Sequence, residues 1–166
     1  HTQGGAAEYA IFKRSMIRPL PKNLDLKVAA LAEPLGVALH AINQANGVAG
    51  KKIFVSGAGP IGLLVVGAAK ILGAAEVVAS DLLDGPLQRA SSLGATSTCK
   101  IGSDELKTNY FDVVFECSGV AKAVSASLSV ARRAGTVIQV GMLASTEQPI
   151  VYAPLVSKEL TLRGTF

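Results

Sequence analysis

Six consecutive residues, Gly57, Ala58, Gly59, Pro60, Ile61 and Gly62, carry the spacing GxGxxG. Glycines so placed serve to bring a backbone close to a phosphate. The first permits a tight turn, the second leaves room for a pyrophosphate, and the third lets a helix pack closely on a strand. Alone the spacing is weak. Here the apolar run Ile53-Phe54-Val55-Ser56 precedes it and a helical apolar run follows. Asp81 then ends the next strand-like segment, about 20 residues further on, where a carboxylate can meet a ribose. A helix that starts at the loop offers free N–H groups and the positive end of its dipole to an anion.

Asp81 also bears on which dinucleotide is bound. A carboxylate can accept from both hydroxyls of an adenosine ribose and repels a 2′-phosphate. No Arg follows within the next few residues, so the expectation is NAD rather than NADP. Without a ligand, the same Asp would serve as the cap of the next helix.

These residues need strands and helices in alternation to hold them. The pattern predicts strands over 53–56, 77–80, 96–101, 112–117, 136–140 and 160–165. Helices are expected over 63–72, 87–93 and 120–134, the last with Arg132 and Arg133 in its final turn and Gly135 as its stop. Upstream, residues 26–31 and a stretch from Pro34 to about Asn46 read as helices, the second with Leu35, Leu39 and Ile42 on one face. Such alternation means βαβ units. The expected fold is therefore α/β, a doubly wound parallel sheet of Rossmann type with strand order 3-2-1-4-5-6. Residues 1–22 read differently. Glu8 to Met16 looks like a strand closed by Pro19 and Pro21, and a lone strand cannot bury a face. The expected organisation is a remnant strand segment of another domain over 1–22 and a dinucleotide-binding domain over 23–166.

Composition excludes several other classes. Of the 166 residues 49% are hydrophobic and 17% charged, which excludes disorder. Only 5% are aromatic and none is Trp, so the core is aliphatic. The net charge of +4 comes from scattered cations, so no nucleic-acid partner is expected. The longest apolar run, 61–69, is too short to span a membrane. Cys99 and Cys117 form no CxxC and are expected to be buried free thiols, which suits a reducing, cytoplasmic location. His40 lies in an apolar helical segment and is expected to be packed and hydrogen-bonded rather than a metal ligand.

The chain resembles the zinc-dependent medium-chain alcohol dehydrogenases, in particular their polyol branch, the L-idonate 5-dehydrogenase and sorbitol dehydrogenase-like members. The similar stretches are GGAAEYAIF at 4–12, LAEPLGVALHA at 31–41, GAGPIGLL at 57–64, LGAAEVVASD at 72–81, FDVVFECSG at 111–119, GTVIQVGM at 135–142 and KELTLRGTF at 158–166. The resemblance implies hydride transfer between NAD and a secondary alcohol or polyol, assisted by zinc, with homo-oligomers formed through the sheet edge. It also implies that the chain is an excised nucleotide-binding domain, inactive by itself, whose catalytic set lies elsewhere. Alternatives are a zinc-free quinone reductase of the same superfamily and a non-catalytic NAD-binding module. Residue by residue, the resemblance places Glu33 at the catalytic zinc, as ligand or as partner of zinc-bound water, and Val37 beside the nicotinamide. Ser118, Gly119, Val140, Gly141 and Met142 fall at strand ends facing the cofactor, and Thr165 with Phe166 falls where backbone meets the carboxamide. Relatives often carry an Arg near the adenosine where this chain has Pro86, with Arg89 one helical turn further on.

Overall fold

The computed structural model describes residues 5–144 and 146–166, so Gly4, the first residue of the stretch 4–12, lies outside them. The chain divides into two compact units, His1–Ala32 and Glu33–Phe166.

The first unit holds a single 3-10 turn, Arg14–Met16, and a short helix α1, Leu26–Ala29. The strand expected over Glu8 to Met16 is not formed. A strand exists through its hydrogen-bonded neighbour, and this segment has none among the described residues. Its apolar side chains stay exposed, Tyr9 by 88% and Ile11 by 94%. Asp25 caps α1 by accepting from the Lys27 N–H at 2.7 Å.

The second unit is a six-stranded parallel sheet with helices on both faces. Its elements are α2 (Ala32–Gln44), β1 (Lys52–Ser56), α3 (Pro60–Ile71), β2 (Glu76–Asp81), α4 (Asp84–Ser92), β3 (Ser97–Lys100), β4 (Phe111–Glu116), α5 (Ala121–Val130), β5 (Ala131–Gln139), α6 (Ala153–Ser157) and β6 (Thr161–Gly164). The strand order is β3-β2-β1-β4-β5-β6, as expected, with every pairing parallel. The central strands do not alternate. Ile53, Phe54, Val55 and Ser56 are all buried, as are Val113 to Glu116, because both faces are covered. On one face Ile53, Val55, Val77, Val113 and Ile138 pack with Ala38, Ala41, Ile42, Val65, Val66 and Ala90 from α2, α3 and α4. On the other, Phe54, Val78, Val114 and Val137 pack with Leu128 and Val130 of α5, with Leu155 of α6 at the margin.

Three readings of the pattern need correction. The buried face of α2 is Ala38, Ala41 and Ile42, and Leu39 is exposed. The small alanines let the helix lie close on the sheet. His40 is also exposed, its one ring contact being a long 3.4 Å approach to Gln44. Third, α5 ends at Val130, four residues earlier than its apolar pattern suggests. Ala131 already pairs with Phe111, and Arg132 leaves the helix to bond Asp112 through Nε at 2.6 Å. The carbonyls of Ser129 and Ala131 are taken instead by Nζ of Lys158, each at 2.8 Å. No helix among the described residues is long and apolar enough to cross a membrane.

Candidate functional site

Parallel strands put all their carboxyl ends on one rim of the sheet, and the predicted site residues other than Glu33 and Val37, which belong to α2, follow those ends. β1 runs into the glycine loop. Gly57 takes φ +91°, a conformation that disfavours any side chain, and its N–H donates to Ser80 O at 2.9 Å. Gly59 caps α3, and Pro60 at the first helical position has its φ preset for the helix. A Cβ at Gly62 would overlap the Gly57 carbonyl oxygen, so the helix can approach the turn only as it does because residue 62 is Gly. A Cβ at Gly59 would meet nothing of this chain within 4 Å. The space outside Gly59 is therefore open, while that around Gly62 is filled by the protein.

Asp81, the last residue of β2, is more than an isolated acid. Its Oδ2 accepts from the Ala58 N–H at 2.9 Å, and its Oδ1 accepts from the Leu83 N–H at 3.1 Å. One carboxylate thus ties the glycine loop to the start of α4 and is held in a single orientation. Each oxygen retains a further lone pair for a ligand hydroxyl. The helix-cap role weighed for Asp81 is not the one it takes, since the N-cap of α4 is Leu83 and no side chain caps it; Asp81 braces the turn before it, which leaves it able to accept from a ligand. Arg89, in α4, lies folded back beside Gly85.

A cavity of about 320 Å³ opens on the rim. Its lining includes Gly57, Asp81, Leu82, Ile101, Ser118 and Lys122. It brings Asp81 together with Gly57 of the glycine loop and with Ser118 from beyond β4, while Gly59, Pro60, Ile61 and Gly62 lie outside its lining. Gly119, Val140, Gly141 and Met142 continue the rim past β4 and β5 but do not line this cavity. Thr165 follows β6; its N–H donates to Gln139 O at 3.0 Å and its buried Oγ1 has no partner. Met142 and Phe166 are exposed. Glu33 lies exposed in the first turn of α2 and Val37 is half-buried one turn later, neither of them in the cavity lining.

The residue that sequence reasoning missed is Glu116. It ends β4 fully buried, at 0% exposure, and accepts from the N–H groups of Ser118 and Gly119, from the Ser118 hydroxyl and from Nε2 of Gln139. The signal was an acid that directly follows the apolar run Val113-Val114-Phe115, at the buried end of a strand whose other acid, Asp112, is only half-buried. Next to it, burial pushes the Cys117 thiol well up, with the Glu116 carboxylate adding to the effect. Cys117 is half-buried, whereas Cys99 is buried as expected.

Residues 60–166 match the family model described as zinc-binding dehydrogenase. The chain belongs to the zinc-binding dehydrogenase family. It is 42% identical over 172 residues to L-idonate 5-dehydrogenase (NAD(P)(+)) of Escherichia coli K12, an alignment that takes in 100% of this chain and 50% of that protein. To D-xylulose reductase of Saccharomyces cerevisiae it is 38% identical over 176 residues, covering 98% of this chain and 49% of that one. A zinc-binding dehydrogenase of Sinorhizobium meliloti 1021, solved bound to NADP, superposes with TM-score 0.82 at 32% identity, over 88% of this chain and 46% of the other. The chain therefore spans about half the length of the curated relatives it matches. As a member of that family it has a Rossmann-like, six-stranded parallel sheet. Among its described residues, however, no three His, Cys, Asp or Glu side chains come close enough to hold a metal ion. The described residues do not by themselves fit a zinc ion, and Glu33 belongs to no such group among them.

Proposed function

We propose that this chain binds a nicotinamide dinucleotide across the carboxyl rim of its sheet, NAD in preference to NADP. It would do so as the nucleotide-binding part of an oxidoreductase that exchanges hydride with a secondary alcohol or polyol. The observation that carries the reading is the tie between Asp81 and the glycine loop. Asp81, in the lining of the cavity, orients its carboxylate against the N–H of Ala58, the residue before Gly59, outside which the space is open. In this reading the pyrophosphate sits against Gly59, Pro60 and Ile61 at the N-terminus of α3, where unpaired N–H groups and the helix dipole favour an anion. Asp81 accepts from the adenosine ribose, and Leu82 and Ile101 flank the base from the cavity wall. The other half of the dinucleotide extends along Ser118, Gly119, Val140, Gly141, Met142 and Thr165, with Val37 nearby. When bound, the nicotinamide supplies the hydride acceptor. This chain's own residues bind and orient it.

The alcohol or polyol and the zinc belong to the whole protein. Glu33 is the residue of this chain proposed to stand at that zinc, with the remaining ligands supplied from outside residues 1–166. The same proposal divides the chain into a segment over 1–22 that belongs with another domain and the nucleotide domain over 23–166.

Titration calorimetry with NADH and NADPH tests the cofactor reading. NADH should bind more tightly, by about tenfold or more, the scale of one charge-assisted hydrogen bond. Asp81→Asn keeps an acceptor for Ala58 but removes the charge that repels a 2′-phosphate, and should narrow the gap. Equal affinities in the unaltered chain would refute the preference.

A further inference from the structure

Glu116 is a carboxylate with no exposure and no cation partner among the described residues. Burying such a group is costly unless hydrogen bonds replace its water. Here every partner is a donor. The Ser118 N–H lies 2.8 Å from Oε1 and the Gly119 N–H 3.1 Å from Oε2, while the Ser118 hydroxyl and Gln139 Nε2 complete the set. Gln139 Nε2 donates also to Gly141 O at 2.6 Å. The backbone repeats the connection, since the N–H groups of Val140 and Gly141 both donate to Glu116 O at 2.8 Å. One residue therefore binds the loop after β4 to the loop after β5. The two loops touch closely: a Cβ at Gly119 would overlap Met142 O, and one at Gly141 would overlap Gly119 N.

The place of this junction on the rim matters. In a parallel sheet ordered β3-β2-β1-β4-β5-β6 the strand order reverses between β1 and β4, and a dinucleotide lies across that switch with one half on each side. Asp81 on β2 belongs to the adenosine side. Of the junction, Ser118 still lines the cavity that holds Asp81, while Gly119, Val140, Gly141 and Met142 lie beyond that lining, on the other side.

We propose that Glu116, latched to Gln139, is a positioning residue for the nicotinamide half of the cofactor. It sets the loops at 118–119 and 140–142 that this half lies against. The proposal rests on the dinucleotide reading above. It requires an acceptor at both carboxylate oxygens. Gln at 116 has the same shape, but its NH₂ would face the donors of Gly119 and Gln139.

The test compares NADH with AMP, which occupies the adenosine side only, on the full-length protein. Glu116→Gln should weaken NADH binding by about tenfold or more, the scale of one buried hydrogen bond left unmade. AMP affinity should stay within about twofold. Gln139→Met leaves Glu116 with its own loop partners and should give the same split if Glu116→Gln does not fold. Asp81→Asn should weaken both ligands. A Glu116→Gln or Gln139→Met protein in which NADH and AMP weaken by the same factor, or in which neither weakens, overturns the latch while leaving the dinucleotide reading intact. An unaltered protein that binds neither ligand overturns the dinucleotide reading and the latch with it.

Discussion

Gly59 and Gly62 stand three residues apart in one loop, and alanine at each should do opposite things. At Gly62 the added Cβ falls on the Gly57 carbonyl oxygen and stands 3.3 Å from Val55 Cγ1. Both partners are held, the carbonyl in a turn at φ +91° and Val55 in the buried β1. Alanine in a helix gains about 1 kcal/mol over glycine. An overpacked contact costs about 1–3 kcal/mol, and a clash with backbone lies at or above the upper end. Net destabilisation of about 2 kcal/mol should follow, with α3 pushed from the turn and nucleotide affinity lost. At Gly59 the Cβ meets nothing within 4 Å, and φ is −70°, where alanine is unstrained. The loss of a favourable helix cap and the reduced entropy of the unfolded chain are each under about 1 kcal/mol and oppose each other. Stability should thus hold within about 0.5 kcal/mol. NADH affinity should nevertheless fall at least tenfold, because the methyl occupies the approach of the pyrophosphate. Urea denaturation and calorimetry on both variants make the assay. If Gly59→Ala binds NADH normally, the open space at residue 59 is not where the phosphates go. If Gly62→Ala is as stable as the parent, the close packing of α3 is not what the glycine provides.

Two further outcomes are expected. Asp112 accepts from the Lys52 N–H at 2.7 Å and from Arg132, fastening β1, β4 and the start of β5. Partial burial pushes its carboxyl up, but these hydrogen bonds and the charges of Arg132 and Lys52 outweigh that and hold it below its ordinary value of 3.8. A carboxyl lowered on folding stabilises fully above its unfolded value, and the contribution fades as pH falls through the folded one. Asp112→Asn should therefore cost about 1 kcal/mol at pH 7, allowing for the exposure of Arg132. The difference in urea midpoint should close as pH falls below 3.8, and a gap that persists at pH 2 would contradict it. Separately, β6 is an edge strand that pairs, among the described residues, with β5 alone, and we expect copies of the chain to associate there. Gly164→Pro removes a backbone donor on the open side, since the N–H of the next residue, Thr165, is the one given to Gln139 O of β5; it should shift light scattering toward monomer, and an unchanged mass would count against that edge.

Much of this fold could be read from the sequence because its local signals agree. Pro60 after a glycine cap, Gly73 and Gly94 as helix stops at positive φ, and uninterrupted apolar runs in β1, β2 and β4 all state the same architecture. What escaped depends on partners distant along the chain. The end of α5 is decided by Lys158 and Asp112, neither of which belongs to the helix. The segment Glu8 to Met16 has the residue types of a strand but no neighbour to pair with among the described residues. In the site, Gly57, Gly62 and Asp81 were legible because each acts within one loop and the strand beside it. Glu116 was not, because its role exists only once Gln139 lies beside it in β5.

The central claim is that a nicotinamide dinucleotide crosses the rim with its pyrophosphate on the Gly57–Gly62 loop and its adenosine ribose on Asp81. A crystal structure of the protein soaked with NADH measures this directly. The account predicts density for the diphosphate within hydrogen-bond distance of the backbone N–H groups at the start of α3, and both adenosine ribose hydroxyls on the Asp81 carboxylate. NADH bound elsewhere, or with its ribose turned away from Asp81, would contradict it.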